Sequence, residues 1–584
     1  MRKFACDFET STPSWLEKDN EARVWAYSIC EIGNPTNFIY GNNIDDFMEW
    51  CSYSRENYTC YFHNIKFDGE YIISWLLNNG FEFIKNKNEQ RDKTFTTLIS
   101  DLGQFYSIEV YFKVYNKKVN KVTFYDSLKL LNFGVEKIAK DFKLPISKLE
   151  LDYDTYREKG HVLTEHEIDY IRNDVEIMAR ALEIMFNNGL SKMTIGSCAL
   201  NNYKDINTNF SVYFPILKFE TDKEIRASYK GGFTYLNEVY NACETGEGIV
   251  LDVNSLYPSV MAYEKMPFGN PIYFKGKYEN DSLHPLYVQK LSCSFEIKEG
   301  MIPTIQIKNS LAFKENEYLK SSNGDVVTLT LTNIDLDLFL KHYEVHDLDY
   351  IGGYKFKAIS GLFTNYIDHW SQEKINAKKE GNGALYLISK LMLNSLYGKF
   401  GLNPSVRSKY PYLNEDGVVS YMLSEREERD SIYIPVATFI TSYARRKTIT
   451  TSQKIKDYTK ENYSKDYYIY SDTDSIHMLA LPEEELKKFV DIDDYKLGAW
   501  KLESKFKRGK FIRQKCYIEE DYDGEVHATI AGLPKKLGKI ITFDNFELGF
   551  STEQIIDLMP NERKLTFKHV KGGVVLTPTE FTIK

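Results

Sequence analysis

The stretch GIVLDVNSLYPSVMA, residues 248–262, decides how the middle of this chain folds. Its first residues form an apolar run that ends at Asp252, and the run predicts a buried strand that continues into a helix. A carboxylate at the end of a buried strand is costly unless a metal ion or another cation neutralises it. We therefore predict that Asp252 is a metal ligand.

A second acidic stretch, YSDTDS at residues 470–475, complements the first. The pattern of residues 467–478 predicts a strand, a tight turn and a second strand, with Asp472 and Asp474 at the turn. An EF-hand calcium loop would require glycine at its sixth position, where this chain has His477. A solvated turn is the remaining alternative, but the pairing with Asp252 favours a site for two metal ions.

The segment KLMLNSLYGK, residues 390–399, predicts a helix with a nucleotide-binding face. Lys390, Asn394 and Tyr397 are spaced by four and three residues and therefore share one face. A lysine suits a triphosphate and a tyrosine suits a base or a sugar, although an ordinary amphipathic helix would show the same spacing. Helical patterns around residues 361–379 and 384–399 predict a helical hairpin with a glycine-rich tip.

The first 190 residues predict a mixed α/β domain that carries a third set of acids. Asp7 and Glu9 lie on a predicted strand and point to one face of it, because strand side chains alternate. A capping box at residues 164–167 predicts the start of a helix that ends near residues 187–189.

This third set becomes informative only when its members are combined. An exposed strand edge often produces a pair such as Asp7 and Glu9 by chance. Asp68 follows a short apolar run, and Tyr170 and Asp174 share one face of the capped helix. Three elements that carry carboxylates and a tyrosine can surround two metals, which activate water for attack at phosphorus.

Composition excludes several classes of protein. The chain has 584 residues, 43% of them hydrophobic, and no apolar run long enough for a membrane helix. Its eight cysteines are scattered, which argues against a disulfide framework or a structural zinc site and fits a reducing compartment. The net charge of −9 does not suggest nucleic-acid binding, but residues 501–515 carry seven basic residues and one acid.

Nine motifs in one order carry a resemblance to a known family. They are CDFET, YFHNIKFDG, YDSLK, YIRND, YKGGF, DVNSLYP, KLMLNSLYGKF, YSDTDS and RQKCY, between residues 6 and 517, and GGVVL near residue 575 follows them. With these motifs the chain resembles the protein-primed B-family DNA polymerases of the Bacillus phage phi-29 type. The resemblance covers nearly the whole chain.

The resemblance implies an α/β and α+β multidomain fold, with an RNase H-like exonuclease domain followed by a right-hand polymerase. The expected division is the 3′–5′ exonuclease at residues 1–190, the first part of the palm at 191–263, a first terminal-protein-region insertion at 264–361, the fingers at 362–400, a palm segment at 401–430 with a second insertion at about 405–427, the second part of the palm at 431–530 and the thumb at 531–584.

The resemblance also implies roles for individual residues. In the exonuclease site the catalytic residues are Asp7, Glu9, Asp68, Tyr170, Asp174 and Lys148, and the single-strand ligands are Thr10, His63, Asn64, Phe67, Ser127, Leu128 and Tyr153. In the polymerase site Asp252 and Asp474 are the principal metal ligands, Asp472 is an accessory acid, and the nucleotide contacts are Tyr257, Lys374, Lys390, Asn394 and Tyr397. Lys378 is an alternative to Lys374. The remaining DNA contacts are Lys515 and Tyr517, which hold the primer end, and Tyr229, Gly231 and Gly232, which bridge the two domains.

The expected cofactor is Mg²⁺, two ions per active site, with Mn²⁺ as an alternative. The expected partners are template and primer DNA, dNTPs and a terminal protein, and no membrane is expected. The protein is expected as a monomer or as a heterodimer with that terminal protein. The expected location is the cytoplasm of the infected bacterial host. Two alternatives to the polymerase remain, a nuclease whose C-terminal region only binds DNA and a catalytically silent replication scaffold.

Overall fold

The structure is a computed structural model that describes residues 2–53, 56–115, 118–306, 317–555 and 564–584. Within these ranges no helix is both long and apolar enough to cross a bilayer. Residues 307–316 of the predicted first insertion and residues 556–563 of the predicted thumb lie outside the described residues.

An eight-stranded mixed sheet organises the N-terminal region. From edge to edge its strands are Asn34–Gly41, Val24–Glu31, Arg2–Thr10, Tyr58–Phe62, Lys118–Asp126, Phe105–Tyr115, Thr94–Ile99 and Glu82–Phe83. The longer helices of this region are Ile44–Ser52, Ile65–Asn78, Val135–Asp141 and Glu165–Asn187, and Leu16–Asp19 forms a single helical turn. The predicted capping box is confirmed, since the Thr164 side chain accepts from the Glu167 amide and Glu167 accepts from the Thr164 amide.

A five-stranded antiparallel sheet forms the centre of the molecule. Its strands lie in the order Trp500–Phe506, Gly248–Val253, Ser475–Leu479, Tyr468–Asp472 and Thr234–Leu236. The predicted strand and helix at residues 248–262 are confirmed, with the helix at Leu256–Tyr263. The strand–turn–strand at residues 467–478 is confirmed as well.

A long helix packs against this sheet, and the sequence underestimates its length. The apolar pattern predicts a helix at residues 438–455, whereas the structure has one at Ile434–Tyr463. The helix begins earlier because Pro435 fits the first turn, where its missing N–H costs nothing. It ends later because the polar last turns continue the helix until Ser464 adopts a left-handed conformation.

The predicted helical hairpin is confirmed as two helices, Thr364–Glu380 and Gly383–Phe400. The connection is shorter than the glycine-rich tip predicted. Gly381 takes φ +67° as the C-cap of the first helix, and the Asn382 side chain accepts a hydrogen bond from the Leu385 amide as the N-cap of the second. The helix Ile195–Ile206 packs alongside the second helix.

Both segments predicted as insertions contain strands. The first has a four-stranded antiparallel sheet in the order Met266–Lys275, Tyr343–Ile359, Leu286–Ile297 and Val327–Thr332, together with the helix Asn333–His342. The second contains the hairpin Lys409–Leu413 with Val419–Leu423 and the short pair Ser405–Val406 with Glu427–Glu428.

The C-terminal region combines a second four-stranded sheet with a terminal hairpin. The sheet has the order Glu244–Thr245, Arg508–Arg513, Cys516–Glu520 and Val526–Ile530, and the hairpin pairs Lys564–Val570 with Gly573–Thr579. One apolar core joins Ile512 and Ile518 to Leu537 and Ile583, so it spans the predicted thumb boundary at residue 531. The domain limits stay predictions.

The terminal hairpin returns to the N-terminal region and packs on the helix Ile65–Asn78. There the buried Glu70 carboxylate accepts a hydrogen bond from the Tyr421 hydroxyl at 2.8 Å and lies 3.0 Å from Nε2 of His569. Tyr421 belongs to the hairpin at residues 409–423, so Glu70, Tyr421 and His569 form a three-way junction between distant parts of the chain. The hydrogen bond to Glu70 raises the pKa of His569, although Lys66 and Lys409 oppose the shift.

The charge of this junction leads to a prediction about stability and pH. Because the pKa of His569 is raised in the folded state, its ion pair with Glu70 is complete below the ordinary imidazole pKa of about 6.5 and is lost as the pH rises through the folded value. We expect Glu70→Gln to lower the free energy of unfolding by about 1 kcal/mol at pH 6, a modest value because solvent screens the partly exposed imidazole. At pH 8.5 the loss should be smaller, because the imidazole gives up its charge as the pH rises.

Denaturant unfolding of the wild type and Glu70→Gln across this pH range measures the difference. The same substitution in a His569→Gln background is the control and should show no pH dependence. A difference that stays constant with pH in the wild-type background would contradict the role given to His569.

Candidate active sites

Three carboxylates of the N-terminal region meet at one point. Ligand atoms of Asp7, Glu9 and Asp174 all lie within 4.8 Å of one another, as expected for a metal site. Strand alternation brings Asp7 and Glu9 to the face on which the helix Glu165–Asn187 packs, and that helix supplies Asp174. Asp68 is not part of this close group, but it lies near enough that the Asp7 charge adds to burial in raising its pKa.

The electrostatics of this cluster favour a bound cation. Burial, reinforced by the charge of Asp174, raises the pKa of Asp7 to about 7, and burial raises that of Glu9 well above its usual range. One carboxylate oxygen each of Asp68 and Asp174 is buried with no hydrogen-bond partner among the described residues. Hard divalent cations take oxygen ligands of this kind, so the residues present fit a metal site.

Tyr170, Lys148 and Tyr153 lie around Asp174. The Lys148 ammonium donates to Asp174 at 2.5 Å and lies 5.3 Å above the Tyr170 ring. The hydroxyls of Tyr153 and Tyr170 are 2.5 Å apart. The structure therefore brings all three to the acidic cluster.

The loops predicted to hold single-stranded DNA meet at a residue that the sequence analysis missed. One carboxylate oxygen of Asp126 accepts from the amides of Asn64 and Leu128, both at 3.0 Å. His63 contacts the Ser127 hydroxyl at 3.0 Å and the Phe133 carbonyl at 2.7 Å, so both of its ring nitrogens are engaged within the protein. The position of Asp126 at the end of a strand and the start of a turn was the available signal.

The two other predicted ligands of this group lie toward the terminal hairpin. Phe67 packs against Phe567 with ring centroids 5.9 Å apart. Thr10 lies at the end of the first strand, within hydrogen-bond reach of the buried Tyr71 hydroxyl.

The second acidic site lies on the five-stranded sheet. Asp252 pairs across the strands with Ser475 on one side and with Lys501 on the other. Asp474 is held beside it because the amide of Val253 donates to the Asp474 carbonyl at 2.8 Å. Burial, together with the charges of Glu503 and Asp474, raises the pKa of Asp252 to about 6.

Glu503 and Lys501 are the residues of this site that the sequence analysis did not single out. The register between the strands shifts between Val250 and Leu251, and this bulge lets Lys501 and Glu503 both act on Asp252. Their only signal was a position in the basic segment 501–515, where Glu503 is the single acid.

Asp472 has other partners than the two principal acids. Its carboxylate accepts from the Thr234 hydroxyl at 3.1 Å and lies 3.8 Å from the Lys515 ammonium. Lys515 also donates its amide to the Tyr470 hydroxyl, and the Tyr517 ring lies 5.3 Å from the Tyr470 ring. The structure thus joins the acidic turn to the strand pair that carries Lys515 and Tyr517.

Side chains predicted to contact a nucleotide face this site. The rings of Tyr257 and Tyr397 pack with centroids 4.2 Å apart. Burial lowers the pKa of Lys374, and the charges of Lys390, Lys501 and Lys378 lower it further. Several ammonium groups gathered around Lys374 suit a polyanionic ligand, and Asn394 is exposed on the same helix as Lys390.

A buried arginine, which the sequence analysis missed, holds the segment Tyr229–Gly232. Arg445 donates to the carbonyls of Lys230 and Gly231 at 2.9 and 2.7 Å and forms an ion pair of 2.6 Å with Asp335. Nothing in its helical sequence pattern marks this contact, because the partners are more than 100 residues away.

Comparisons with known proteins agree along the whole chain. The family model described as DNA polymerase type B, organellar and viral, matches residues 50–490. The DNA polymerase of Bacillus phage Nf is 45% identical, with 100% of each chain covered, and that of Bacillus phage phi29 is 43% identical, with 100% of this chain and 99% of the relative covered. The structure of phi29 DNA polymerase with primer–template DNA and incoming nucleotide is similar with a TM-score of 0.90, 42% identity and full coverage of both chains.

The acidic turn leads to a prediction about two neighbouring glycines. A methyl group on Gly232 would lie 2.6 to 2.9 Å from side-chain atoms of Thr473, between Asp472 and Asp474, whereas one on Gly231 would meet nothing within 4 Å. The turn has little freedom to shift, because the Thr473 amide and carbonyl are both hydrogen-bonded. We expect Gly232→Ala to cost about 1–3 kcal/mol of stability and Gly231→Ala to cost far less.

Thermal or denaturant unfolding of the two variants measures these costs. Equal stabilities for Gly231→Ala and Gly232→Ala would show that the turn adapts to the added methyl group.

Proposed function

Since the chain belongs to the organellar and viral type B DNA polymerases and is a protein-primed, DNA-directed DNA polymerase of the phi29 type, we propose that its two acidic sites divide synthesis and proofreading between them. Its substrates are primer–template DNA and dNTPs, in line with the phi29 polymerase structures that it matches. The observation that carries the division is that the acids form two separate sets on two different sheets. A nuclease with a passive C-terminal region is not favoured, because the similarity to polymerases extends over the full length.

We propose that nucleotidyl transfer takes place at Asp252 and Asp474. The two carboxylates crowd one another with Glu503, and a pair of divalent ions would neutralise this charge. Two such ions, when bound, promote attack by the primer 3′ hydroxyl and stabilise the triphosphate. Oxygen ligands of this kind suit Mg²⁺, with Mn²⁺ as an alternative. Asp472 is proposed as an accessory acid that contacts Thr234 and Lys515 and is not a principal metal ligand.

The nucleotide site is proposed to use the cations and rings on the helical hairpin. Lys374 and Lys390 bind the triphosphate, and Lys374 is preferred to Lys378 because it is the more buried and lies beside Lys390. The packed rings of Tyr257 and Tyr397 contact the sugar and the base of the nucleotide. Asn394 contributes a hydrogen bond from the same helix.

Proofreading is proposed for the N-terminal site. Asp7, Glu9, Asp68 and Asp174 hold the metals, and the chemistry is hydrolysis of a terminal phosphodiester. Tyr170 positions the attacking water. Lys148 donates a hydrogen bond to Asp174 in this structure, and we propose that its charge stabilises the scissile phosphate. The single-strand ligands are Thr10, His63, Asn64, Phe67, Ser127, Leu128 and Tyr153.

The DNA path and the partners complete the proposal. Lys515 and Tyr517 hold the primer end, and the segment Tyr229–Gly232 bridges the two sites. Strand displacement is proposed for both insertions, and the three-way junction supports this role for the second one, because it links that insertion and the terminal hairpin to the N-terminal region. A terminal protein supplies the priming hydroxyl, in the cytoplasm of the infected bacterial host.

Separate inactivation of the two sites tests this division. We expect Asp7→Ala combined with Asp68→Ala to abolish degradation of a 3′-labelled primer and to leave dNTP incorporation within about twofold of the wild type, because no acid of the other set is touched. Asp474→Ala should do the reverse. One primer-extension gel with and without dNTPs measures both activities.

Loss of both activities in either variant, while the protein stays folded, would show that the chain has one shared catalytic centre. If the wild type neither extends nor degrades the primer, only the scaffold alternative remains.

Sugar selection gives a second test, at Tyr257. Its ring packs on Tyr397 at the point where the strand of Asp252 leads into a helix, so a rigid aromatic surface, which we call the tyrosine wall, lies beside the proposed metal ligand. We expect Tyr257→Val to raise the incorporation efficiency of ribonucleotides relative to dNTPs by at least about tenfold, because the tyrosine wall excludes a 2′-hydroxyl. Steady-state kcat/KM for CTP and dCTP on one template measures the ratio.

Tyr263→Val is the matched control, since Tyr263 is exposed at the end of the same helix. An unchanged ratio in Tyr257→Val would return Tyr257 to a purely structural role.

A further inference from the structure

Lys501 occupies an unusual position for a lysine that no motif contains. It stands directly across from Asp252 in the five-stranded sheet, and its ammonium lies 3.5 Å from a carboxylate oxygen of Asp252. About a third of its side chain is exposed, so the ammonium is close to the acid without being locked in the interior. Lys501 is therefore the counter-ion of a proposed metal ligand in the nucleotide-free protein.

The same lysine also acts on the opposite side of the site. Burial lowers the pKa of Lys374, and the charges of Lys390, Lys501 and Lys378 add to this effect, so Lys501 lies near Lys374 as well as near Asp252. Lys374 and Lys390 lie on the helical hairpin, whereas Lys501 lies on the sheet. The ammonium thus stands between a set of acids and a set of cations that come from different parts of the fold.

Glu503 explains why a cation is useful at this point. The bulge in the strand places Glu503 where its charge acts on both Asp252 and Asp474. Without a neighbouring cation, three carboxylates would repel one another in a partly buried site, a situation that is costly for a fold. Burial and the neighbouring carboxylates raise the pKa of Asp252 and of Asp474, and the Lys501 charge opposes this rise in part.

We propose that Lys501 is a positioning residue with two alternating partners, Asp252 in the nucleotide-free protein and the triphosphate of the incoming nucleotide in the loaded protein. The inference rests on the proposed function of the Asp252 site. Once divalent cations neutralise the carboxylates, Lys501 loses its counter-ion. The long lysine side chain then turns toward the polyanion that Lys374 and Lys390 already attract.

This exchange makes two predictions of opposite sign for Lys501→Met. The KM for dNTP should rise by about threefold to tenfold with kcat within about twofold, as expected for loss of one partly exposed charge contact to the substrate. Metal binding to the nucleotide-free protein should instead tighten by about threefold or more, because no ammonium competes for Asp252.

Steady-state primer extension measures KM and kcat. Calorimetric titration of the nucleotide-free, full-length protein with MnCl₂ measures metal affinity, in a background with Asp7→Ala and Asp68→Ala that silences the other site. Lys501→Arg should restore the wild-type KM, because the charge is kept. Lys505→Met is the matched control, since Lys505 is exposed on the same strand and interacts with Glu483 instead.

The outcomes separate this inference from the function on which it rests. A wild type that extends primers, with a Lys501→Met variant unchanged in KM or in metal affinity, would overturn the inference alone. Failure of Lys501→Arg to restore the KM would also overturn it, because the effect would then not follow the charge. A wild type that extends no primer would overturn the proposed function, and the metal titration would still report whether Lys501 competes for Asp252.

Discussion

Repulsion between carboxylates that must lie a few ångströms apart is the constraint on which the two sites depend. At such separations and with partial burial, like charges cost several times what they would cost in water. The N-terminal site reduces this cost with Lys148 and the central site with Lys501 and Lys515. The acids of the N-terminal site come from a strand and two packed helices, and those of the central site come from paired strands and a hydrogen-bonded turn, so the structure cannot relax by moving them apart. The raised pKa values of Asp7 and Asp252 favour protonation, which relieves part of the repulsion, and a bound divalent cation would relieve it while the acids stay ionised.

The scaffold that fixes the central site rests on a fully paired arginine. Arg445 is 2% exposed, and its five N–H groups have acceptors on Asp335, Ser442 and the carbonyls of Lys230 and Gly231. These acceptors come from the long helix, from the helix Asn333–His342 and from the segment Tyr229–Gly232. A buried guanidinium with every donor satisfied is destabilising to disturb, because each acceptor would be left unpaired. The arginine therefore fixes the helix Asn333–His342 and the segment Tyr229–Gly232 relative to the long helix.

Much of the local structure could be predicted from the sequence, because local patterns determine it. The capping box before Glu165, the strand that ends at Asp252 and the helical hairpin at Gly381 all follow from spacing and from turn residues. The acids of both sets could be proposed because chemistry restricts which residues bind hard cations. Roles of single residues, such as those of Asn394 or Tyr229, came from the resemblance and not from any pattern.

The residues that the sequence did not reveal share one property, which is that their partners are far away in the chain. Asp126 joins two loops, Arg445 reaches Asp335, and Glu70 meets Tyr421 and His569. Glu503 was missed for a related reason. The position of its side chain depends on a strand bulge that no local sequence pattern predicts. The net charge of −9 was misleading in the same way. Attraction for a polyanion depends on where the lysines meet in space, and Lys374, Lys390 and Lys501 meet only after two helices and a sheet have packed together.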